Sequence, residues 1–145
     1  MRLLAATLIA FLGSVAFSQE THSVAMQRIE NANVFAFGGI GYAGVTSQGE
    51  NDFRVILSQP ASVAEADFER IYTSGNSEAK SYALAGIREL DRARFKELLE
   101  SLRGSNEKVV TMEGCIVEDR PLLRVAQDIN SGQYDLGLHR PKQSH

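Results

Sequence analysis

Asn76-Ser77-Glu78-Ala79-Lys80-Ser81-Tyr82-Ala83-Leu84-Ala85-Gly86-Ile87-Arg88-Glu89-Leu90-Asp91 reads as one helix and the start of another. Asn76 or Ser77 caps the first, because a short polar side chain accepts from an amide that the opening turn leaves unpaired. Ala79, Ala83, Gly86, Ile87 and Leu90 recur at helical spacing and make its inner face. Asp91 caps the next helix, where Phe95, Leu98, Leu99 and Leu102 form a stripe ending before Gly104.

Toward the N-terminus, Ser47-x-x-Glu50 and Ser62-x-x-Glu65 are both capping boxes. The first opens a helix with Phe53, Ile56 and Leu57 on one side, stopped by Pro60. The second opens one with Ala64, Phe68, Ile71 and Tyr72, stopped by Gly75. Toward the C-terminus, Pro121 opens a further helix with Leu122, Val125, Ala126 and Ile129 inward, closed by Gly132. Asp119 stands near its start as a cap. Helix starts near Ser47, Ser62, Asn76 and Asp91 leave only short loops, which fold consecutive helices into antiparallel hairpins.

Between these helices the period changes. Val109-Val110-Thr111-Met112 and Cys115-Ile116-Val117 are rich in strand formers, and Glu113-Gly114 either turns between them or bulges one strand. Val34-Phe35-Ala36-Phe37 runs into Gly38-Gly39-Ile40-Gly41-Tyr42-Ala43-Gly44-Val45, which has no helical period and reads as extended backbone. Gln19 to Asn33 is polar, a lead-in or one short helix. The expectation is a mainly α fold of four to five short helices packed as antiparallel hairpins with a small β element. Its core draws on Phe53, Ile56, Leu57, Phe68, Ile71, Ala83, Ile87, Leu90, Phe95, Leu98, Leu102, Val110, Cys115, Leu122 and Ile129.

From Ala64 to Leu102, small residues and seam leucines resemble a HEAT-type helical hairpin. A solenoid requires three or more repeats, and the chain has room for about one and a half, so the resemblance implies local packing only. The order of glycine-rich segment, Tyr82-Ala83-Leu84-Ala85-Gly86 helix and Met112-Glu113-Gly114-Cys115-Ile116-Val117 is similar to a group of small bacterial exported proteins with no assigned activity. That likeness brings no functional residues with it.

The first eighteen residues give an address. Met1-Arg2 is a positive start, Leu3 to Val15 is almost wholly apolar, and Ala16-Phe17-Ser18 sets small residues before Gln19. This is the layout of a cleaved secretory signal, and the apolar run is short of the roughly 20 residues that span a bilayer. The organisation is then a signal peptide over 1–18, a flexible lead-in over 19–33, a single domain over 34–138 and a disordered tail over 139–145. Export to the periplasm or medium without a stable membrane anchor follows. The formal charge is −3, with Lys and Arg scattered, so the basic footprint of a nucleic-acid binder is missing. Cys115 is the only cysteine and cannot form an internal disulfide; its apolar neighbours make it a buried, inert thiol.

Candidate chemistry is thin. Gly39-Ile40-Gly41-Tyr42-Ala43-Gly44 matches G-x-G-x-x-G, but dinucleotide binding needs a helix starting inside the motif, and the next cap is Ser47. Close packing of backbone against the helices is the use expected of these glycines. His22, His139 and His145 are not paired at ligand spacing, so neither a metal nor another cofactor is expected. Phe35, Phe37, Tyr42 and Phe53 read as core bulk, with Tyr42 and Tyr82 the aromatics expected to reach a surface or pocket, and Glu113 a further candidate for such a place. The expected function is a non-catalytic binding or interaction module with another protein as partner. An envelope inhibitor or immunity protein is a sharper form of it. The rival class is a small hydrolytic or metal-assisted enzyme using Glu113, Glu118 and a tail histidine.

Overall fold

In the computed structural model, which describes residues 21–135, the chain runs α1 (residues 21–30), β1 (Gly39–Ile40), β2 (Val45–Thr46), α2 (Gln48–Leu57), α3 (Ala61–Ser74), α4 (Ser77–Leu90), α5 (Arg92–Ser101), β3 (Lys108–Glu113), β4 (Ile116–Pro121) and α6 (Leu122–Ser131). The fold is mainly α with two small antiparallel β pairs. The signal read over 1–18 and the tail over 139–145 lie outside the described residues.

α4 is the axis of the molecule. It packs against α2, α3, α5, α6 and β3, and every residue from Ser81 to Arg88 is buried. An inner face alone was expected, and the outer positions are covered too. Small side chains make this possible: a β-carbon on Gly86 would lie 2.4 Å from the Phe68 ring, so α3 and α4 approach closely only because none is there.

Three caps form as read. Ser47 accepts from the Glu50 amide, Asn76 from that of Ala79, and Asp91 from those of Ala93 and Arg94. Two do not. α3 starts at Ala61 behind Pro60, whose fixed φ prepares the first turn, so Ser62 lies inside the helix and its box is not used. Asp119 is an exposed strand residue of β4, and α6 follows Pro121 with no side-chain cap. The stretch read as a flexible lead-in holds α1, whose Ala25, Met26 and Ile29 are core residues.

β3 and β4 form a hairpin that pairs Glu113 with Ile116 and Lys108 with Pro121. Gly114 and Cys115 make its two-residue turn, and Gly114 takes φ +57°, which suits glycine at the first position of a type II′ turn. Sheet alternation puts Val109, not the expected Val110, in the core; Val110 is half-buried on the other face. The chain between α1 and β2 runs beside the other edge of β3: Phe35 N–H donates to the Val110 carbonyl at 2.8 Å, and Met112 N–H returns to the Phe35 carbonyl at 3.0 Å. Further on, Gly41 N–H donates to the Gly114 carbonyl at 2.8 Å.

Aromatic rings fill the space between this layer and α4. Phe35 meets Tyr82 edge-on with centroids 4.9 Å apart and Tyr134 at 5.1 Å. Phe37 meets Phe53 at 5.1 Å. Each such pair adds roughly 1 kcal/mol beyond its burial.

Candidate functional site

Most polar groups of the interior are engaged in holding the fold; among the described residues the buried Arg88 Nε has no hydrogen-bond partner. Tyr82, expected at a surface or pocket, is fully buried. Its hydroxyl accepts the Ala36 N–H at 3.0 Å and lies 3.3 Å from the carbonyls of Val34 and Ala36, to which it donates. Burial pushes the hydroxyl up to about 12 from its ordinary value of 10.0. Ser47 Oγ donates to the Ala36 carbonyl at 2.8 Å, so the α2 cap and Tyr82 grip the same extended segment.

Two carboxylates beside them are buried, which the sequence reading passed over. Glu50 accepts the Gly38 N–H at 2.7 Å and an Arg54 guanidinium N–H at 2.8 Å. The capping box is therefore half a box: the serine caps, while the glutamate reaches across to the chain before β1. Asp52 is held in a two-point bond by Arg28 of α1, at 2.7 and 2.9 Å, and also accepts from Gln48 at 3.1 Å. The only cue in sequence was that Glu50 and Asp52 lie close to the apolar Phe53 side of an amphipathic helix.

A second polar group closes the C-terminal end. Arg120 is bonded to Asp128 and lies 3.4 Å from the Tyr134 hydroxyl, and Arg88 bonds Asp135 at 2.7 Å. Burial again raises the Tyr134 hydroxyl to about 12. His22 bonds Asp67 across to α3 at 2.8 Å, while His139 and His145 lie outside the described residues. Among the described residues, no three His, Cys, Asp or Glu side chains gather closely enough to hold a metal ion.

The surface differs at one place. Both hairpin turns meet where Gly41 bonds Gly114, and the residues around that contact are apolar and open to water. Tyr42 is fully exposed, and Val45, Ile116 and Val117 are 57%, 68% and 59% exposed. Cys115 joins them as an exposed thiol, contrary to the buried cysteine expected, because the turn lifts it beyond the core. Exposed Glu113, Glu118 and Asp119 border the group, and Glu113 accepts from Gln133 at 3.1 Å.

Of the three residues expected at a surface or pocket, Tyr42 and Glu113 thus share one surface and Tyr82 does not join them. The G-x-G-x-x-G glycines serve the turn rather than close packing against helices. Gly41 and Gly44 have φ of +67° and +61°, with open space where a β-carbon would be. α2 starts four residues after the motif, behind Ser47. Phe35, Phe37 and Phe53 are core as expected, whereas Tyr42 is not. No protein-family model, curated protein or solved structure matches this chain, so the function of this surface has to be argued from its own chemistry.

Proposed function

We propose that this chain is an exported, non-catalytic binding module that meets another protein through the joined hairpin turns. The observation that supports this is the gathering of Tyr42, Val45, Cys115, Ile116 and Val117 in water at one end of a fold whose other large apolar side chains are mostly covered. Apolar side chains exposed together and rimmed by charge mark interaction surfaces. Export rests on the leader read over residues 1–18, and no helix among the described residues is long and apolar enough to cross a membrane.

The inhibitor or immunity form of this reading gains from the acidic border, which suits a partner with a basic surface. The test is a retention experiment with the chain from Gln19 onward, run against envelope and secreted extracts beside an Ile116→Ser/Val117→Ser variant. A partner held by the native chain and released by the variant supports the reading. Equal retention by both, or none by either, sinks it.

A further inference from the structure

We propose that β4 is a docking edge for an extended polypeptide segment carrying two basic residues followed by two apolar ones, added antiparallel to it. This deepens the reading of the hairpin turns as a binding surface and rests on it. The argument begins with the backbone. Met112 and Val110 use their main-chain groups toward Phe35, on the side of β3 away from β4. Their cross-strand partners Val117 and Asp119 are therefore at the non-hydrogen-bonded positions of the hairpin, with N–H and C=O directed outward along the side of β4 that no strand among the described residues pairs with. An edge of this kind is a template for another strand.

The side chains on that edge select what can pair with it. Ile116, Val117, Glu118 and Asp119 are consecutive and all exposed, so each face of the strand offers one apolar residue and one carboxylate. An added antiparallel strand satisfies both faces when basic residues stand opposite Asp119 and Glu118 and apolar ones opposite Val117 and Ile116. A second copy of the chain fits poorly, because it would bring Glu118 and Asp119 of both copies to one seam in a chain that is already net negative. Arg120 lies 3.6 Å from Glu118 but is also bonded to Asp128, so it offsets the acids only in part and leaves Asp119 without it. The same acids that block self-pairing favour a basic partner strand.

The test uses the chain from Gln19 onward and a labelled synthetic peptide with a Lys-Lys-Val-Val centre, followed by fluorescence anisotropy. Saturable binding is expected, weakened about tenfold when the lysines become glutamates, since two opposite-charge pairs turn into like-charge pairs. Val117→Pro removes an outward N–H that β3 does not use, so it should abolish binding, while Val117→Thr should retain it. A peptide methylated on its valine amides should also fail to bind, which tests strand addition without altering the protein. Equal binding of the lysine and glutamate peptides overturns the proposal. So does binding that survives both Val117→Pro and amide methylation; if that binding is lost in Tyr42→Ser/Val45→Ser, the turn surface stands and only strand addition falls. Concentration-dependent dimerisation that Val117→Pro removes would assign the edge to a second copy instead. Failure to bind any peptide, with a partner still released by Ile116→Ser/Val117→Ser, also overturns strand addition alone.

Discussion

Gly86 of α4 lies directly under the ring of Phe68 in α3, so that a β-carbon at Gly86 would sit 2.4 Å from ring carbons Cδ2 and Cε2. Alanine at this position improves helix propensity by about 1 kcal/mol but forces a fully buried ring to move. Gly86→Ala is expected to destabilise the fold by roughly 2 kcal/mol net. In Phe68→Leu the penalty should shrink, because the smaller side chain leaves room. Urea denaturation of the two single variants and the double variant checks both statements, and strict additivity would show that the two residues are not coupled.

Glu50 should matter well beyond its place in a helix cap. It is fully buried, joins α2 to Gly38 and pairs with Arg54 one turn further along the same helix. Glu50→Ala strands a main-chain N–H and removes one partner of a largely buried guanidinium. A loss of about 3 kcal/mol is expected, against less than about 1 kcal/mol for the exposed Glu65→Ala of the box that is not used. Chemical denaturation of both variants compares them; similar small losses would deny Glu50 its linking role.

Alkaline pH should loosen the molecule through Tyr82. Its hydroxyl is raised to about 12 in the folded chain from 10.0, so the folded state keeps a proton that the unfolded state gives up. The stability this contributes is complete below pH 10 and is lost as pH rises from 10 toward 12, at up to about 1.4 kcal/mol per pH unit. Tyr134 acts in the same direction from a less buried position. Melting curves across pH 8 to 11 should be flat at first and then fall, with a shallower fall for Tyr82→Phe. An unchanged slope in that variant would assign the alkaline loss elsewhere.

Cys115 should react with a thiol reagent in the native state, one equivalent per chain, without denaturant. A thiol that becomes reactive only on unfolding would contradict its exposed place in the turn.

Ile116→Ser/Val117→Ser should cost little stability, within about 0.5 kcal/mol, because both side chains already stand in water. Thermal melting compares variant and native chain. A large loss would mean that these residues support the fold rather than offer a surface.

The periodic part of this fold was legible in sequence. Ser47, Asn76 and Asp91 mark helix starts that the structure keeps, and the stripes of Phe68 and Ile71, Phe95 and Leu98, and Leu122 to Ile129 face inward as read. Local hydrogen bonding and helical spacing are enough for such features. The turn surface is only partly legible: local pattern points to Tyr42 and Glu113 as surface residues, but it puts Cys115 and Tyr82 on the wrong sides.

Those two errors share a cause. Cys115 and Tyr82 both sit among apolar neighbours, and local pattern cannot tell a strand turn that projects past the core from a helix enclosed on every side. By itself the sequence determined helices α2 to α6, three of their caps and the strand-forming stretches, because these depend on residues a few positions apart. Tertiary structure alone decided that α4 is central, that Glu50 and Asp52 are buried and bonded, and that two glycine turns meet at Gly41 and Gly114. Each of these outcomes depends on contacts between segments far apart in the chain, and burial is a property of what covers a residue.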